Sequence, residues 1–272
     1  MKTWFITGTS RGFGRVWTQA ALERGDQVAA TARNLDSLND LVAQFGDRIL
    51  PLQLDVTDRA ADFAAVKAAH EHFRQLDVIV NNAGYGLFGV IEEVSETEAR
   101  QQIETNLFGA MWVTQAALPY LRSQGSGHIL MVSSLGGIGA FPLLGLYHAS
   151  KWGLEGMSEA LSQEVAPFGI KVTLIEPGGF STDWSGSSAV HAAPIPAYDG
   201  LRSARAKQTA GVKRGDPITS STAILKLVDA ENPPLRLLLG AAPTQIVPQI
   251  YEQRLKVWSE WKDVSRAADG MH

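Results

Sequence analysis

The stretch that decides the fold is TGTSRGFG, residues 7–14, which continues directly from the short apolar run KTWFI at residues 2–6. Its glycines, Gly8, Gly12 and Gly14, permit a tight turn, a close approach of the backbone to a phosphate group, and close packing of the next helix on the strand. The N-terminal N–H groups of that helix then point at the anion. A glycine-rich turn alone is a weak signal, but its position between a first strand and a first helix predicts a dinucleotide-binding turn.

Outward from this turn, short apolar runs alternate with amphipathic segments along the chain. The runs predict seven strands, at residues 2–7, 27–32, 49–54, 76–81, 128–133, 170–175 and 235–239. Three helices are predicted. The first covers residues 12–24, the second begins at a capping box formed by Ser95 and Glu98, and the third runs on from Lys151 and ends at Gly169. Strands that alternate with helices form right-handed βαβ units. The pattern therefore predicts an α/β fold with a parallel sheet, and with the glycine turn a doubly wound sheet of the Rossmann type between two helical layers. Length alone permits one or two domains, and we expect a single domain over residues 1–272.

The periodicity changes at residue 183. From there to residue 216 the chain is rich in Ser, Gly, Ala and Pro and shows no clear strand. An irregular stretch of this length inside a compact domain is usually a functional loop. We therefore expect a substrate lid at about 183–216, with a mobile linker as the alternative.

Composition excludes several classes of function. The chain has 272 residues, 45% of them apolar, and a formal net charge of -4, which offers no general attraction to nucleic acid or to an anionic membrane. It has no cysteine, so disulfides, thiolate zinc sites and cysteine nucleophiles are excluded. Its six histidines form no pair with the context of metal ligands, and no metal site is predicted. No signal peptide or run of roughly 20 apolar residues is visible, which predicts a cytoplasmic protein.

The end of the second predicted strand bears on the choice of cofactor. In NAD-binding folds an acidic residue near this point usually receives the ribose hydroxyls. Here the strand ends Thr31-Ala32-Arg33, without a carboxylate. A guanidinium can pair with a 2′-phosphate, and Arg11 in the glycine turn could add a second positive charge. The sequence thus favours NADP(H) over NAD(H), unless both arginines are solvated surface residues.

Further motifs follow in a fixed order. They are Asp55-Val56, Asn81-Asn82-Ala83-Gly84, Asn106, Ser133-Ser134, Tyr147-His148-Ala149-Ser150-Lys151 and Pro177-Gly178. Together with residues 7–14, this set resembles the single-domain branch of the short-chain dehydrogenase/reductase family over nearly the whole chain. The sequence as a whole resembles bacterial members of the family that are similar to 17β-hydroxysteroid dehydrogenases. This resemblance does not establish a steroid substrate.

The resemblance implies roles for particular residues. It implies a catalytic tetrad of Asn106, Ser134, Tyr147 and Lys151, in which Asn106 holds a water that links Lys151 to solvent. It implies cofactor contacts from Gly8, Ser10, Arg11, Gly12, Phe13, Gly14, Arg33, Asp55, Val56, Asn82, Ala83, Gly84, Tyr147, Lys151, Pro177, Gly178 and Thr182. Ser134 is preferred to its neighbour Ser133 because it lies thirteen residues before Tyr147, the separation usual in the family. The family also implies a strand order of 3-2-1-4-5-6-7 and a homodimer or homotetramer.

The chemistry of the Tyr147–Lys151 pair agrees with this resemblance. Reduction of a ketone by hydride transfer forms an alkoxide, which needs a proton and charge stabilisation. Tyr147 can donate that proton, and Lys151 lies four residues later on the same helix face, where its ammonium favours the tyrosinate. Ser134 can hydrogen-bond the substrate oxygen. His148, one position after Tyr147, is expected to point to another face of the helix.

The predicted activity is that of an NADP(H)-dependent oxidoreductase, a ketoreductase or alcohol dehydrogenase that interconverts a carbonyl and a secondary alcohol. An apolar small-molecule substrate is expected from candidate pocket residues Tyr85, Phe141, Leu143, Leu144, Phe180 and Trp184. The alternative from another class is a redox sensor that binds NADP without turnover, although such a protein would be expected to have lost members of the tetrad. Sugar epimerases and cofactor-free lyases of the superfamily differ in the glycine motif or the lysine, and neither departure is present.

Overall fold

The computed structural model describes residues 1–270. Its strands are β1 (Thr3–Ile6), β2 (Gln27–Ala32), β3 (Ile49–Gln53), β4 (Val78–Asn81), β5 (Leu87–Phe88), β6 (Gly127–Val132), β7 (Ile170–Pro177), β8 (Val190–His191) and β9 (Arg236–Leu239). Its α-helices are α1 (Gly12–Glu23), α2 (Asn39–Phe45), α3 (Arg59–Phe73), α4 (Glu96–Ile103), α5 (Gly109–Gln124), α6 (Gly145–Val165), α7 (Asp199–Thr209), α8 (Ser220–Asp229), α9 (Ala241–Glu260) and α10 (Lys262–Ala267).

Seven strands form one parallel sheet in the order β3-β2-β1-β4-β6-β7-β9. Counted along the chain within this sheet, that order is 3-2-1-4-5-6-7, so the predicted topology is confirmed. The seven predicted strands are all present, and their ends differ from the prediction by no more than two residues. The direction in which strands are added reverses at β1, with β2 on one side and β4 on the other, which opens a crevice at the carboxyl ends of these strands.

Both faces of the sheet are buried, which explains why the strands are continuous apolar runs. Trp4 and Phe5 are adjacent in β1 and are both 0% exposed, yet they belong to different apolar clusters. Phe5 packs in the cluster that includes Val113 of α5, and Trp4 in the one that includes Trp17 of α1. Successive strand residues point to opposite faces, so β1 contributes to both cores.

The helical region that starts at the predicted capping box is not a single regular helix. Ser95 caps α4 as predicted, because its Oγ accepts from the Glu98 N–H at 3.3 Å and its own N–H donates to the Glu98 carboxylate at 2.9 Å. Between α4 and α5 lies a π-helical turn, Glu104–Phe108, with Asn106 at its centre. Single π-helical turns of this kind occur frequently at functional sites.

The structure corrects the prediction that residues 183–216 are irregular. This segment contains the eleven-residue helix α7 and the short strand β8, which pairs in parallel with β5. Helix α7 has no buried residue, so it carries no apolar period for the sequence to show. Among the residues that the structure describes, no helix combines the length and apolar character that a bilayer-spanning segment requires.

Candidate active site

The glycine turn lies at the carboxyl end of β1, and α1 begins within it. Gly8 and Gly12 have φ values of +68° and +57°, in the left-handed region that a side chain disfavours. A Cβ atom on Gly14 would lie 2.3 Å from the carbonyl oxygen of Gly8, so only glycine fits there. The turn therefore brings bare backbone up to the start of α1, where the first N–H groups have no partner within the helix and can receive a phosphate.

Asn82 ties this turn to the end of β4. Its Nδ2 donates to the carbonyl oxygens of Thr7 at 2.8 Å and Gly8 at 3.0 Å. The Thr7 hydroxyl in turn accepts from the N–H groups of Asn82 and Ala83, both at 2.9 Å. These four bonds fix the glycine turn against the neighbouring strand at the point where the sheet reverses.

A cavity of about 1010 Å³ opens at the carboxyl ends of the strands. Almost all of the predicted site residues line it: Gly8, Ser10, Arg11, Gly12, Phe13, Arg33, Asp55, Val56, Asn82, Ala83, Gly84, Ser134, Tyr147, Lys151, Pro177, Gly178 and Thr182. Gly14 and Asn106 are absent from the cavity lining. Gly14 packs against Gly8 and Asn82 within the turn, and Asn106 is buried behind Gly84.

Arg33 and Asp55 follow neighbouring strands at one part of the cavity. Arg33 is exposed at the end of β2, and within residues 1–270 no carboxylate forms an ion pair with it. Asp55 follows β3, and its Oδ1 accepts from the N–H and the hydroxyl of Thr57 at 3.1 and 2.8 Å. This end therefore offers an unpaired guanidinium on one strand and a positioned carboxylate on the next.

Tyr147 and Lys151 lie one turn apart at the start of α6, and each is only 6% exposed. The Lys151 ammonium nitrogen lies 5.8 Å from the Tyr147 ring centroid and donates to the carbonyl oxygen of Val132 at 2.8 Å. Burial raises the pKa of Tyr147 to about 12, which the Ser134 hydroxyl partly opposes. Burial also lowers the pKa of Lys151 to about 8, against the attraction of the Glu155 carboxylate. The phenol is therefore protonated at neutral pH and lies beside a desolvated amine.

The two adjacent serines after β6 have different surroundings, although both line the cavity. Ser134 is half-buried, lies next to the Tyr147 phenol, and accepts from the N–H of Gly136 at 2.9 Å. Ser133 is buried, and its hydroxyl has no partner among residues 1–270 and lies 2.5 Å from where a Cβ atom on Gly137 would be. The geometry thus directs Ser134, and not Ser133, toward the phenol.

Asn106 acts on the backbone behind the cavity. Its Oδ1 accepts from the Tyr85 N–H at 3.1 Å, and its Nδ2 donates to the Tyr85 carbonyl oxygen at 3.0 Å and to the Ser150 hydroxyl at 3.1 Å. A Cβ atom on Gly84 would lie 3.0 Å from Asn106 Oδ1 and 3.8 Å from the Lys151 nitrogen. Asn106 therefore links the segment after β4 to the helix that carries Tyr147 and Lys151.

The segment after β7 faces the glycine turn. A Cβ atom on Gly12 would meet Thr182 at 3.9 Å. Arg11 Nη1 donates to the Asp183 carboxylate at 2.6 Å and to the Ser187 hydroxyl at 3.1 Å, so its charge is paired in this structure. Hydrogen bonds from Ser188, Ser187 and Arg11 hold the pKa of Asp183 well below its usual range. The predicted second positive charge is thus offset by a carboxylate of the segment 183–216.

The six candidate pocket residues also line the cavity: Tyr85, Phe141, Leu143, Leu144, Phe180 and Trp184. The Trp184 ring lies 5.0 Å from that of Tyr147 and 5.2 Å from that of Phe88. It rests on Gly86, where a Cβ atom would come within 2.6 Å of the indole. The segment 183–216 therefore supplies a wall beside the phenol.

Sequence reasoning missed two polar residues in this wall. His148 also lines the cavity, although it follows Tyr147 by one position and its ring contacts the loop of Gly136 and Phe141. Its Nε2 accepts from the Phe141 N–H at 3.0 Å, and its Nδ1 lies 3.0 Å from the Gly136 carbonyl oxygen, which assigns the ring proton to Nδ1. Arg205 of α7 lines the cavity as well, and no pattern in the sequence marks it.

Comparison with known proteins agrees with this geometry. The chain belongs to the short chain dehydrogenase family, whose family model matches residues 2–191. It is 42% identical to the oxidoreductase BOA17 of Botryotinia fuckeliana, over 98% of this chain and 99% of that protein. The crystal structure of a short-chain dehydrogenase from Streptomyces avermitilis has a TM-score of 0.92 and 38% identity, covering 98% of this chain and 100% of that one. An archaeal alcohol dehydrogenase from Thermococcus sibiricus, complexed with 5-hydroxy-NADP, has a TM-score of 0.74 and 28% identity, with coverages of 88% and 96%.

The protein is therefore an oxidoreductase that acts on CH–OH groups of small molecules with a nicotinamide cofactor. The residues present fit such a cofactor, because Gly8 and Gly12 line the cavity with bare backbone at the start of α1, where N–H groups without a partner in the helix can receive a phosphate. Within residues 1–270, no group of three or more His, Asp or Glu side chains could hold a metal ion.

Proposed function

We propose that this enzyme is an NADP(H)-dependent ketoreductase, or alcohol dehydrogenase in the reverse direction, that acts on an apolar carbonyl compound. The observation that carries the proposal is the placement of Tyr147, Lys151 and Ser134 in the same cavity as the glycine turn and Arg33. One end of the cavity can thus hold a dinucleotide, and the other has the acid needed for carbonyl reduction.

Cofactor recognition is assigned to two parts of the chain. The turn at residues 7–14 and the start of α1 would receive the pyrophosphate. Arg33 would pair with a 2′-phosphate, since its guanidinium is unpaired among the described residues and no acidic residue stands at the end of β2 to receive a ribose diol. This arrangement supports NADP(H) in preference to NAD(H), as does the NADP analogue carried by the Thermococcus sibiricus relative.

In carbonyl reduction, Tyr147 donates its phenolic proton to the substrate oxygen while Ser134 donates a hydrogen bond to the same oxygen. The reduced nicotinamide supplies the hydride when it is bound. Because burial keeps the pKa of Tyr147 at about 12 in the protein alone, the acid is fully protonated at neutral pH. The Lys151 ammonium stabilises the phenolate left after transfer, and the Asn106 side chain holds the Tyr85 backbone and the Ser150 hydroxyl, which precedes Lys151 on α6.

The test is oxidation of NADPH, followed at its absorbance maximum, with a panel of apolar ketones and aldehydes. Tyr147→Phe should lower turnover by at least about a hundredfold and leave the dissociation constant for NADPH nearly unchanged. Arg33→Ala should weaken NADPH binding about five- to thirtyfold and leave NADH binding unchanged, with Arg74→Ala as a control outside the cavity lining. Binding of NADPH without consumption of any carbonyl would contradict the proposed reaction. An equal loss for both cofactors would contradict the role of Arg33.

Three further proposals accompany this function. The segment 183–216 is a lid on a single catalytic domain, supported by the contact of Trp184 with Tyr147 and of Asp183 with Arg11. A homodimer or homotetramer is supported by the family resemblance, and sedimentation velocity tests it. A cytoplasmic location is also proposed, and fractionation of the native cell tests it.

A further inference from the structure

The charge of the cavity differs from that of the whole chain. The protein has a formal net charge of -4. Yet the cavity lining contains five cationic side chains: Arg11, Arg33, Lys151, Arg205 and Arg214. Its only carboxylates among the described residues are Asp55 and Asp183. The cavity therefore attracts anions in a protein that is acidic elsewhere.

Most of these cations already have a partner or a role. Arg11 pairs with Asp183 at 2.6 Å. Arg214 is exposed and donates to the Ser185 hydroxyl at 2.7 Å. Arg33 and Lys151 belong to the proposed adenosine end and to the acid–base pair. Arg205 is the remaining cation, and it lies beside Phe141, one of the candidate pocket residues.

Arg205 is held in the wall next to the catalytic helix. It is half-buried on α7, and its guanidinium carbon lies 5.4 Å from the centroid of the Phe141 ring. The centroid of the Phe141 ring lies 5.7 Å from that of His148. Burial lowers the pKa of His148, and the positive charge of Arg205 adds to this effect. Within residues 1–270, no Asp or Glu forms an ion pair with Arg205. Thr209, four residues later on the same helix face, lines the cavity too.

A half-desolvated guanidinium without a carboxylate is a site for an anion. Arginine is bound most strongly by planar oxyanions, which it can grip with two parallel hydrogen bonds. The aromatic face beneath it fixes its position and leaves its N–H groups free for a ligand. The rest of this wall, with Leu143, Leu144 and Trp184, is apolar.

We propose that the substrate is an apolar carbonyl compound that also bears an anionic group, and that Arg205 binds this group while Tyr147 protonates the carbonyl oxygen. The anion could be the carboxylate of an oxo acid or the phosphate of an oxoalkyl phosphate, which share this chemistry. This proposal rests on the proposed function and specifies its substrate class.

The experiment compares three substrates of equal chain length: an oxo acid, its methyl ester and the corresponding oxoalkyl phosphate. The wild-type enzyme should show a kcat/KM at least about tenfold higher for one of the anions than for the ester. Arg205→Gln should raise KM for that anion about ten- to a hundredfold, change kcat little, and leave the ester kinetics and NADPH affinity unchanged. Arg205→Lys should recover part of the loss. Lys207→Gln, on the same helix but outside the cavity lining, is the matched control.

Each outcome has a distinct meaning. Preference for the acid or for the phosphate decides the source of the anion, and either supports the proposal. If the ester is reduced as well as both anions, or if Arg205→Gln affects ester and anion equally, Arg205 only holds α7 on Phe141 and the proposal is overturned. Failure of the proposed function would instead show as no consumption of NADPH with any of the three, in the wild type as in Tyr147→Phe.

Discussion

Replacement of Lys151 by methionine should inactivate the enzyme and stabilise the fold. Burial lowers the pKa of Lys151 from 10.5 to about 8, which at roughly 1.4 kcal/mol per pH unit corresponds to about 3 kcal/mol of lost stability at neutral pH. Methionine has a similar unbranched shape and no charge. The variant also loses the 2.8 Å hydrogen bond to the Val132 carbonyl oxygen, which destabilises it by about 1 kcal/mol and offsets part of this gain. The variant should therefore unfold with a free energy about 2 kcal/mol higher than wild type, and melt about 5 °C higher.

The pH dependence separates this cause from simple packing. Because the pKa of Lys151 is depressed in the folded state, the wild type carries the full cost below pH 8 and loses it as the pH rises from 8 through 10.5. The advantage of Lys151→Met should be constant between pH 6 and 7.5 and shrink above pH 8, in urea unfolding followed by circular dichroism. Lys67→Met, at a side chain 64% exposed on α3, is the control and should change stability little. A less stable Lys151→Met at pH 7 would refute the reasoning and show that the ammonium is held by compensating contacts.

Two other predictions concern Trp184 and a buried acid. Gly86→Ala should displace the Trp184 indole, because the new Cβ atom would lie 2.6 Å from it, and should raise KM several-fold and alter the tryptophan fluorescence. The control Gly200→Ala, whose new Cβ atom would have no neighbour within 4 Å, should change neither. Unchanged kinetics for Gly86→Ala would show that the position of Trp184 does not affect catalysis. Asp62 is 0% exposed with both carboxylate oxygens unpartnered among the described residues, and burial, helped by Asp58 and Asp55, raises its pKa to about 8. A raised pKa costs stability as the pH rises from about 4 to 8, so Asp62→Asn should match wild type in urea unfolding near pH 4. At pH 7.5 it should exceed wild type by up to about 5 kcal/mol, at roughly 1.4 kcal/mol per pH unit above 3.8. An equal difference at both pH values would contradict a protonated Asp62.

The parts of the fold that the sequence predicts well are those with a strong local signal. A parallel strand buried on both faces, such as β6, is a largely apolar run in the sequence. The capping box is recognised from two residues, Ser95 and Glu98, three positions apart. The two-residue strands β5 and β8 have no such signal, because their pairing is decided by where the segment 183–216 settles. Helix α7 was missed for a related reason, since a helix with no buried residue needs no apolar stripe.

The candidate site divides in the same way. Roles for Tyr147 and Lys151 follow from chemistry and spacing, with family resemblance to support them. The contribution of Arg205 depends on the distant Phe141, and that of His148 on the loop that donates to it. Such contacts join residues far apart in the chain, and a single sequence contains no record of them.

Three departures from ordinary folding rules lie in the lining of one cavity, and their shared position is an argument for function. Lys151 is a buried amine, Arg205 a half-buried guanidinium without a carboxylate, and Leu143 adopts a φ of +71° that a leucine rarely accepts. Each costs stability in the protein alone, and none is needed to hold the sheet together. Strain and desolvated charge persist where the surrounding structure imposes them, typically at sites that bind or transform a ligand. Since all three side chains line the cavity that also contains Tyr147, their cost is best explained by the substrate that compensates it.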